Sequence, residues 1–145
     1  MDNINIEEII KYHEALAETF DKLQLNEIRI GLEKKLDVTK YANPRYNSKQ
    51  MTQIRYGLEQ GLDVSAYAKR EYNSKQMKQI RFGLEDNLDV SIYADTKYNS
   101  LQMWTIRLGL KDNLDISQYA NPEWDYLKME EIRRKLLHKK REGIK

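Results

Sequence analysis

Residues 46–71 read YNSKQMTQIRYGLEQGLDVSAYAKRE, and residues 72–97 read YNSKQMKQIRFGLEDNLDVSIYADTK. The two segments are identical at 18 of 26 positions without a gap. A further copy spans residues 98–123, a diverged copy spans residues 20–45, and a partial copy begins at Trp124. A fixed period of this length is typical of repeat proteins, in which each unit buries its apolar face only by stacking on its neighbours.

Each copy carries the pattern of one amphipathic helix. In residues 46–71 four apolar side chains recur at offsets of 3, 7 and 11 residues, which places them on one face of a helix. They are Met51, Ile54, Leu58 and Leu62. The start is predicted at an Asn or Asp followed three residues later by Gln, a variant of the capping box. The end is predicted at a Gly or Asn, which tolerate left-handed backbone. The starts are Asp21, Asn47, Asn73 and Asn99, and the ends are Gly61, Asn87 and Asn113.

A second, shorter helix is predicted directly after the first. An aspartate recurs at the position where it can cap this helix, and an apolar residue and a tyrosine follow toward the core. In residues 46–71 these are Asp63, Val64 and Tyr67. We expect about 12 residues in the first helix and about 6 in the second, followed by a loop.

The predicted fold class is therefore all-α, an αα solenoid of about five 26-residue two-helix repeats with an N-terminal capping helix. We expect residues 1–145 to form a single repeat domain. Its parts are the capping helix (residues 1–19), four repeats (20–45, 46–71, 72–97 and 98–123), and a partial repeat with a basic C-terminal cap (124–145).

The composition excludes several classes of protein. There is no cysteine, so a disulfide framework, a thiolate zinc site and a cysteine nucleophile are all excluded. The first residues lack the pattern of a signal peptide, and no segment approaches the roughly 18 apolar residues of a membrane span. We expect a cytoplasmic protein that does not act on membranes. Because no phosphate-binding loop, nucleophile motif or metal-ligand cluster is present, we expect no enzymatic activity and no cofactor.

Arginine recurs once per repeat and has two interpretations. In a regular stack these side chains would form a ladder able to bind phosphates, and this ladder would be an anion or nucleic-acid site. Alternatively they are structural, because three of them have a Glu four residues later, the spacing of an ion pair on a helix. The five are Arg29, Arg55, Arg81, Arg107 and Arg133.

The C-terminal segment is strongly basic. The whole chain carries a net charge of +2, but residues 133–145 contain seven Lys or Arg and one Glu. This segment, with Lys139, Lys140 and Arg141, could contact nucleic acid or an acidic protein surface, or it could simply be solvated.

Two further residue types recur. Glycine lies inside each first helix, where it costs roughly 1 kcal/mol relative to alanine, so we expect the following helix or the next unit to pack closely against it; a ligand against the backbone is the alternative. The recurring tyrosines are expected to be core residues with solvated hydroxyls, although a platform for stacking bases is possible. The glycines are Gly31, Gly57, Gly83 and Gly109, and the aromatic residues are Tyr41, Tyr67, Tyr93 and Tyr119 together with Tyr46, Tyr72, Tyr98 and Trp124.

Residues that vary between repeats are the best candidates for binding a partner, because the scaffold does not dictate them. Leu101, Trp104 and Leu108 form a second apolar stripe on one helix. The position of Trp104 is polar in the other repeats, whereas that of Leu108 is also apolar or aromatic in the preceding repeats, which favours a structural role for Leu108. The stripe is either an interface anchored by Trp104 or a surface covered by the C-terminal helix, whose Leu127 and Leu137 need a neighbour.

The string Gln-Met-x-x-Ile-Arg-x-Gly-Leu-Glu-x-x-Leu-Asp-Val-Ser-x-Tyr-Ala, present at residues 50–68 and 76–94, resembles short helical repeats in uncharacterised proteins of Firmicute bacteria and their mobile elements. The resemblance covers roughly residues 20–136 and implies a bacterial, phage or conjugative-element origin. By association it implies an effect on a host protein. We therefore expect a non-enzymatic module that binds a protein partner or a second copy of itself; the alternative is a nucleic-acid-binding protein using the arginine ladder and the basic C-terminal segment.

Overall fold

The structure, a computed structural model, describes residues 20–143, which contain helices and turns and no strand. Its α-helices recur at the spacing of the sequence repeat, and a three-residue 3-10 helix follows each of the first four. The predicted all-α repeat fold of the αα-solenoid class is confirmed. The α-helices are α1 (Lys22–Glu33), α2 (Ser48–Glu59), α3 (Ser74–Glu85), α4 (Ser100–Lys111) and α5 (Tyr126–Gly143), and the 3-10 helices are Val38–Lys40, Val64–Ala66, Val90–Ile92 and Ile116–Gln118. The predicted capping helix (residues 1–19) lies outside the described residues.

The chain divides into two compact units, one up to Met77 and the other from Lys78. In the first unit α1 packs on α2, and in the second α4 packs on α5. The core of each unit repeats one set of side chains, a Met and an Ile from the α-helix and an apolar residue and a Tyr from the segment after it. Fully buried members are Tyr41, Met51, Ile54, Tyr67 and Met77 in the first unit, and Ile80, Tyr93, Met103, Ile106, Tyr119 and Met129 in the second.

The predicted helix boundaries are confirmed. Asn47 and Gln50 form a reciprocal capping box, each accepting the other's backbone N–H at 2.8 Å. The same glutamine also donates from Nε2 to the carbonyl of Tyr72 at 2.6 Å, so it ties its helix to the next loop as well as capping it. At the other end of α2, Gly61 has φ = +70°, and Asn87 and Asn113 follow α3 and α4 at φ = +56° and +55°. These residues therefore close their helices in the left-handed conformation.

The predicted length of the second helix was wrong, because it is a single 3-10 turn of three residues. Asp63 caps it as predicted, accepting the N–H of Ser65. The helix then ends because Tyr67 leaves helical backbone geometry (φ = −137°, ψ = −6°) and directs its side chain back into the core. A longer helix would carry that side chain away from α2.

The buried tyrosine and the helical glycine of each repeat form one packing unit. The hydroxyl of Tyr67 donates to the carbonyl of Gln53 at 2.6 Å, directly over Gly57. A Cβ on Gly57 would overlap that hydroxyl and would lie 2.7 Å from Cγ1 of Val64. The close approach predicted for the recurring glycines is confirmed. The expectation of solvated hydroxyls was wrong for Tyr41, Tyr67, Tyr93 and Tyr119, and their full burial also rules out base stacking by these four residues.

Candidate protein-binding groove

The second unit carries an open groove between α4 and α5, with a volume of about 540 Å³. Trp104 of α4 forms one wall, and residues of the first three turns of α5 form the other. We call this feature the α4–α5 groove. It is lined by Trp104, Tyr126, Leu127, Glu130, Glu131, Arg134 and Lys135.

Exposed leucines border the aromatic wall of this groove. Leu127, in the groove, is 63% exposed, and Leu101, one turn before Trp104 on α4, is 48% exposed. Trp104 itself is half-buried. A partner that covered these three side chains would remove apolar surface from water, which is the main source of affinity in protein interfaces.

The C-terminal helix lies beside the apolar stripe but does not cover all of it. Trp104 does lie beside α5, as expected if the C-terminal helix covers the stripe, and Leu137 is half-buried on that helix. However, α5 leaves the groove open and leaves Leu101 exposed. Leu108 is half-buried and does not line the groove.

Glu130 is a buried carboxylate on the wall of the groove, at 6% exposure. One of its oxygens, Oε1, accepts from the hydroxyl of Thr105 at 3.3 Å and from Nε of Arg133. The other oxygen, Oε2, has no hydrogen-bond partner among the described residues. An unsatisfied buried polar atom costs free energy, so this arrangement is not the one that stability alone would select.

Sequence reasoning missed the residues that α5 contributes. Leu127 occupies the register position of Leu101, whereas Lys49 and Lys75 stand there in the middle repeats. The signal was available as an apolar residue at a position that is Lys in the two middle repeats, although Leu23 shares that position in α1. Glu130 could not have been recognised, because its burial depends on the neighbouring Thr105, which replaces a longer Gln of the preceding repeats.

The repeated arginine of α2 is a structural residue. Arg55 is 7% exposed, and its guanidinium donates to Glu27 of α1 at 2.7 Å and to Glu59 at 2.8 Å. Burial alone would lower the pKa of Arg55, but the hydrogen bonds and charges of Glu27 and Glu59 outweigh it and raise that pKa. Burial likewise acts to raise the pKa of Glu59, and Lys34 and Arg55 together lower it. Arg55 is thus already neutralised within its own unit.

The second unit repeats this pattern with different acceptors. Arg81 is buried and pairs with Glu85 at 2.5 Å. Arg107 donates to Gln79 of the preceding helix at 3.0 Å and lies over the ring of Phe82. Arg133 pairs with Glu130 and lies 3.8 Å from a carboxylate oxygen of Asp112. Of the five arginines only Arg29, on α1, has an exposed side chain.

The basic end of α5 is solvent-exposed. Lys139, Lys140 and Arg141 all have exposed side chains, although the ammonium of Lys140 donates to the carbonyl of Asp112. His138 is exposed and lies 3.2 Å from Glu142, whereas the other histidine, His13, lies outside the described residues. This end of the helix therefore offers positive charge to a partner.

Residues 20–143 contain no cluster of three or more His, Asp or Glu side chains placed to hold a metal ion. Over the same residues, no helix combines the length and the apolar character that crossing a membrane requires. No protein-family model, curated protein or solved structure matches the chain.

Proposed function

We propose that this protein is a non-enzymatic protein-interaction module that docks a protein partner through the α4–α5 groove. The observation that carries the proposal is the presence of Trp104 and the largely exposed Leu127 in one open groove, with the exposed Leu101 one turn before Trp104. Tryptophan is enriched among the residues that dominate binding energy, particularly in the centre of an apolar patch. A host protein as the partner is part of the proposal, and it follows only by association from the expected resemblance to mobile-element repeats.

The nucleic-acid alternative keeps one favourable observation, the exposed basic end of α5. Its other element, the arginine ladder, is less favourable. Arg55, Arg81 and Arg107 are each less than a tenth exposed and are already engaged by carboxylates, an amide or an aromatic ring. Pulling such a side chain out to a phosphate would sacrifice these contacts.

The deciding experiment compares Leu127→Glu with Leu23→Glu. Leu23 occupies the same register position on α1 and is 66% exposed, so the two variants make the same chemical change at equally exposed leucines. Proteins retained from a bacterial lysate by each immobilised variant are identified, purified and tested for direct binding, with nuclease-treated lysate as a parallel sample. We expect Leu127→Glu and Trp104→Ala to weaken binding at least about 30-fold, the effect of losing a residue worth about 2 kcal/mol.

Other outcomes of this experiment would contradict the proposal or identify a different kind of partner. Equal binding by wild type, Leu127→Glu and Leu23→Glu would contradict the proposed function. Retention that disappears after nuclease treatment would support the nucleic-acid alternative. Light scattering after size exclusion tests the remaining case, because a wild-type dimer that becomes a monomer in Trp104→Ala would make a second copy of the chain the partner.

A further inference from the structure

The groove continues into a positively charged helix face. Five residues of α5 lie within about 40° of one direction around the helix, given 100° per residue. The first lines the groove and is apolar, and the later ones carry charge. They are Leu127, Glu131, Arg134, His138 and Arg141.

Arg134 and Arg141 are the charged residues on this face that form no ion pair with another side chain of the described segment. Glu131 is held by Lys135 at 3.1 Å, and His138 lies against Glu142 at 3.2 Å. Within residues 20–143, Arg134 and Arg141 form no such ion pair, and both are exposed. The face thus presents an apolar anchor point followed by two positive charges.

We infer that the α4–α5 groove binds an acidic amphipathic segment of a protein, with an apolar side chain seated against Trp104 and Leu127 and carboxylates opposite Arg134 and Arg141. This inference rests on the proposed function and specifies the chemistry of its partner. At a rise of 1.5 Å per residue, Arg134 and Arg141 lie about 10 and 21 Å along the helix from Leu127. A helical partner running beside α5 therefore carries acidic residues about seven and fourteen positions from its anchor.

The groove itself favours a protein segment over nucleic acid. Its lining includes the carboxylate of Glu130, whose Oε2 has no hydrogen-bond partner among the described residues. A phosphate backbone following the arginines toward the groove would meet this carboxylate, which repels it. An apolar anchor meets instead the faces of Trp104, Tyr126 and Leu127.

The test is selection from a displayed random peptide library on the intact protein, with peptides about 20 residues long so that a helix spans Leu127 to Arg141. We expect enriched peptides to combine Leu or aromatic residues with acidic residues at the spacing above. Their affinity should fall about tenfold or more in Arg134→Glu/Arg141→Glu, mainly through slower association, and should weaken as salt is raised.

The matched control is Lys49→Glu/Lys128→Glu, which makes the same change of charge on one exposed lysine of α2 and one of α5, the latter about 100° around the helix from Leu127. It should retain binding to within a few-fold. Circular dichroism on all variants checks that α5 remains folded.

The outcomes separate this inference from the proposed function. Peptides that bind wild type but not Leu127→Glu, and whose affinity does not change in Arg134→Glu/Arg141→Glu, would overturn the inference and leave the proposed function standing. Enriched peptides without acidic residues would do the same. Absence of any peptide that distinguishes wild type from Leu127→Glu would overturn both. A labelled DNA or RNA oligonucleotide that binds through Arg134 and Arg141 and ignores Leu127→Glu would assign the charged face to nucleic acid and overturn the inference.

Discussion

Replacing Gly57 with alanine should destabilise the protein, although alanine is normally the better helix residue by about 1 kcal/mol. The added Cβ would overlap the Tyr67 hydroxyl and would lie 2.7 Å from Cγ1 of Val64. Displacing the hydroxyl breaks its 2.6 Å hydrogen bond to the carbonyl of Gln53, at a cost of about 1–3 kcal/mol, and overpacking adds about 1–3 kcal/mol. After the helix-propensity gain is subtracted, we expect a net destabilisation of about 1–5 kcal/mol.

Urea unfolding followed by circular dichroism measures this change directly. Gly143→Ala is the matched control, because no atom lies within 4 Å of a Cβ built there, and it should be neutral or stabilising. Tyr67→Phe in the Gly57→Ala background should recover part of the loss, since it removes the overlapping oxygen. A Gly57→Ala variant that is more stable than wild type, or a strictly additive double variant, would refute the assignment of this glycine to tyrosine packing.

Two more predictions concern buried polar groups. Burial raises the pKa of Tyr41, Tyr93 and Tyr119 above the ordinary value near 10. Because the unfolded chain therefore loses these protons at lower pH than the folded protein, the free energy of unfolding should fall with rising pH, by about 1 kcal/mol per tyrosine between pH 10 and 11. Urea unfolding across this range with tyrosinate absorbance checks it, and ionisation of all ten tyrosines near pH 10 in the folded protein would contradict it. Separately, the double variant Thr105→Gln/Glu130→Thr should be more stable than wild type by about 1–3 kcal/mol. It removes the unsatisfied carboxylate oxygen and gives Arg133 the kind of acceptor that Arg107 has in Gln79. Urea unfolding of wild type, the double variant and both single variants tests this, and a double variant less stable than wild type would be the contrary result.

The repeat made most of the fold predictable. A capping pair such as Asn47 and Gln50 marks a helix start wherever it occurs, and a glycine inside an amphipathic helix requires a close neighbour. Both signals act over a few residues, so they can be read directly from the chain. The second helix was mispredicted because its length depends on a contact at longer range, the return of Tyr67 to the carbonyl of Gln53.

The site was less predictable for the same reason. Trp104 stood out as a tryptophan at an otherwise polar position, and it does line the groove. The groove also requires Tyr126 and Leu127, whose position depends on how α5 packs against α4. An unusual residue in one helix can be found by comparing the sequences of the repeats. A surface formed by two helices depends on how they pack, so it cannot be found in that way.

Thr105 and Glu130 depart from the middle repeats beside the groove, and stability does not explain these two departures. In the first unit Glu27 accepts from the arginine of the next helix, and Gln79 does so in the second. Thr105 is too short for this role, so Glu130 replaces it and keeps one buried oxygen unsatisfied. Glu130 also occupies the register position at which α4 has Trp104. If only the stacking of repeats mattered, the longer acceptor at the position of Thr105 would be expected to remain. The last two helices instead have a groove with an aromatic wall, a carboxylate and exposed leucines. Such a trade of stability for a shaped surface is expected where a protein binds something, and it supports the proposed binding surface at α4 and α5.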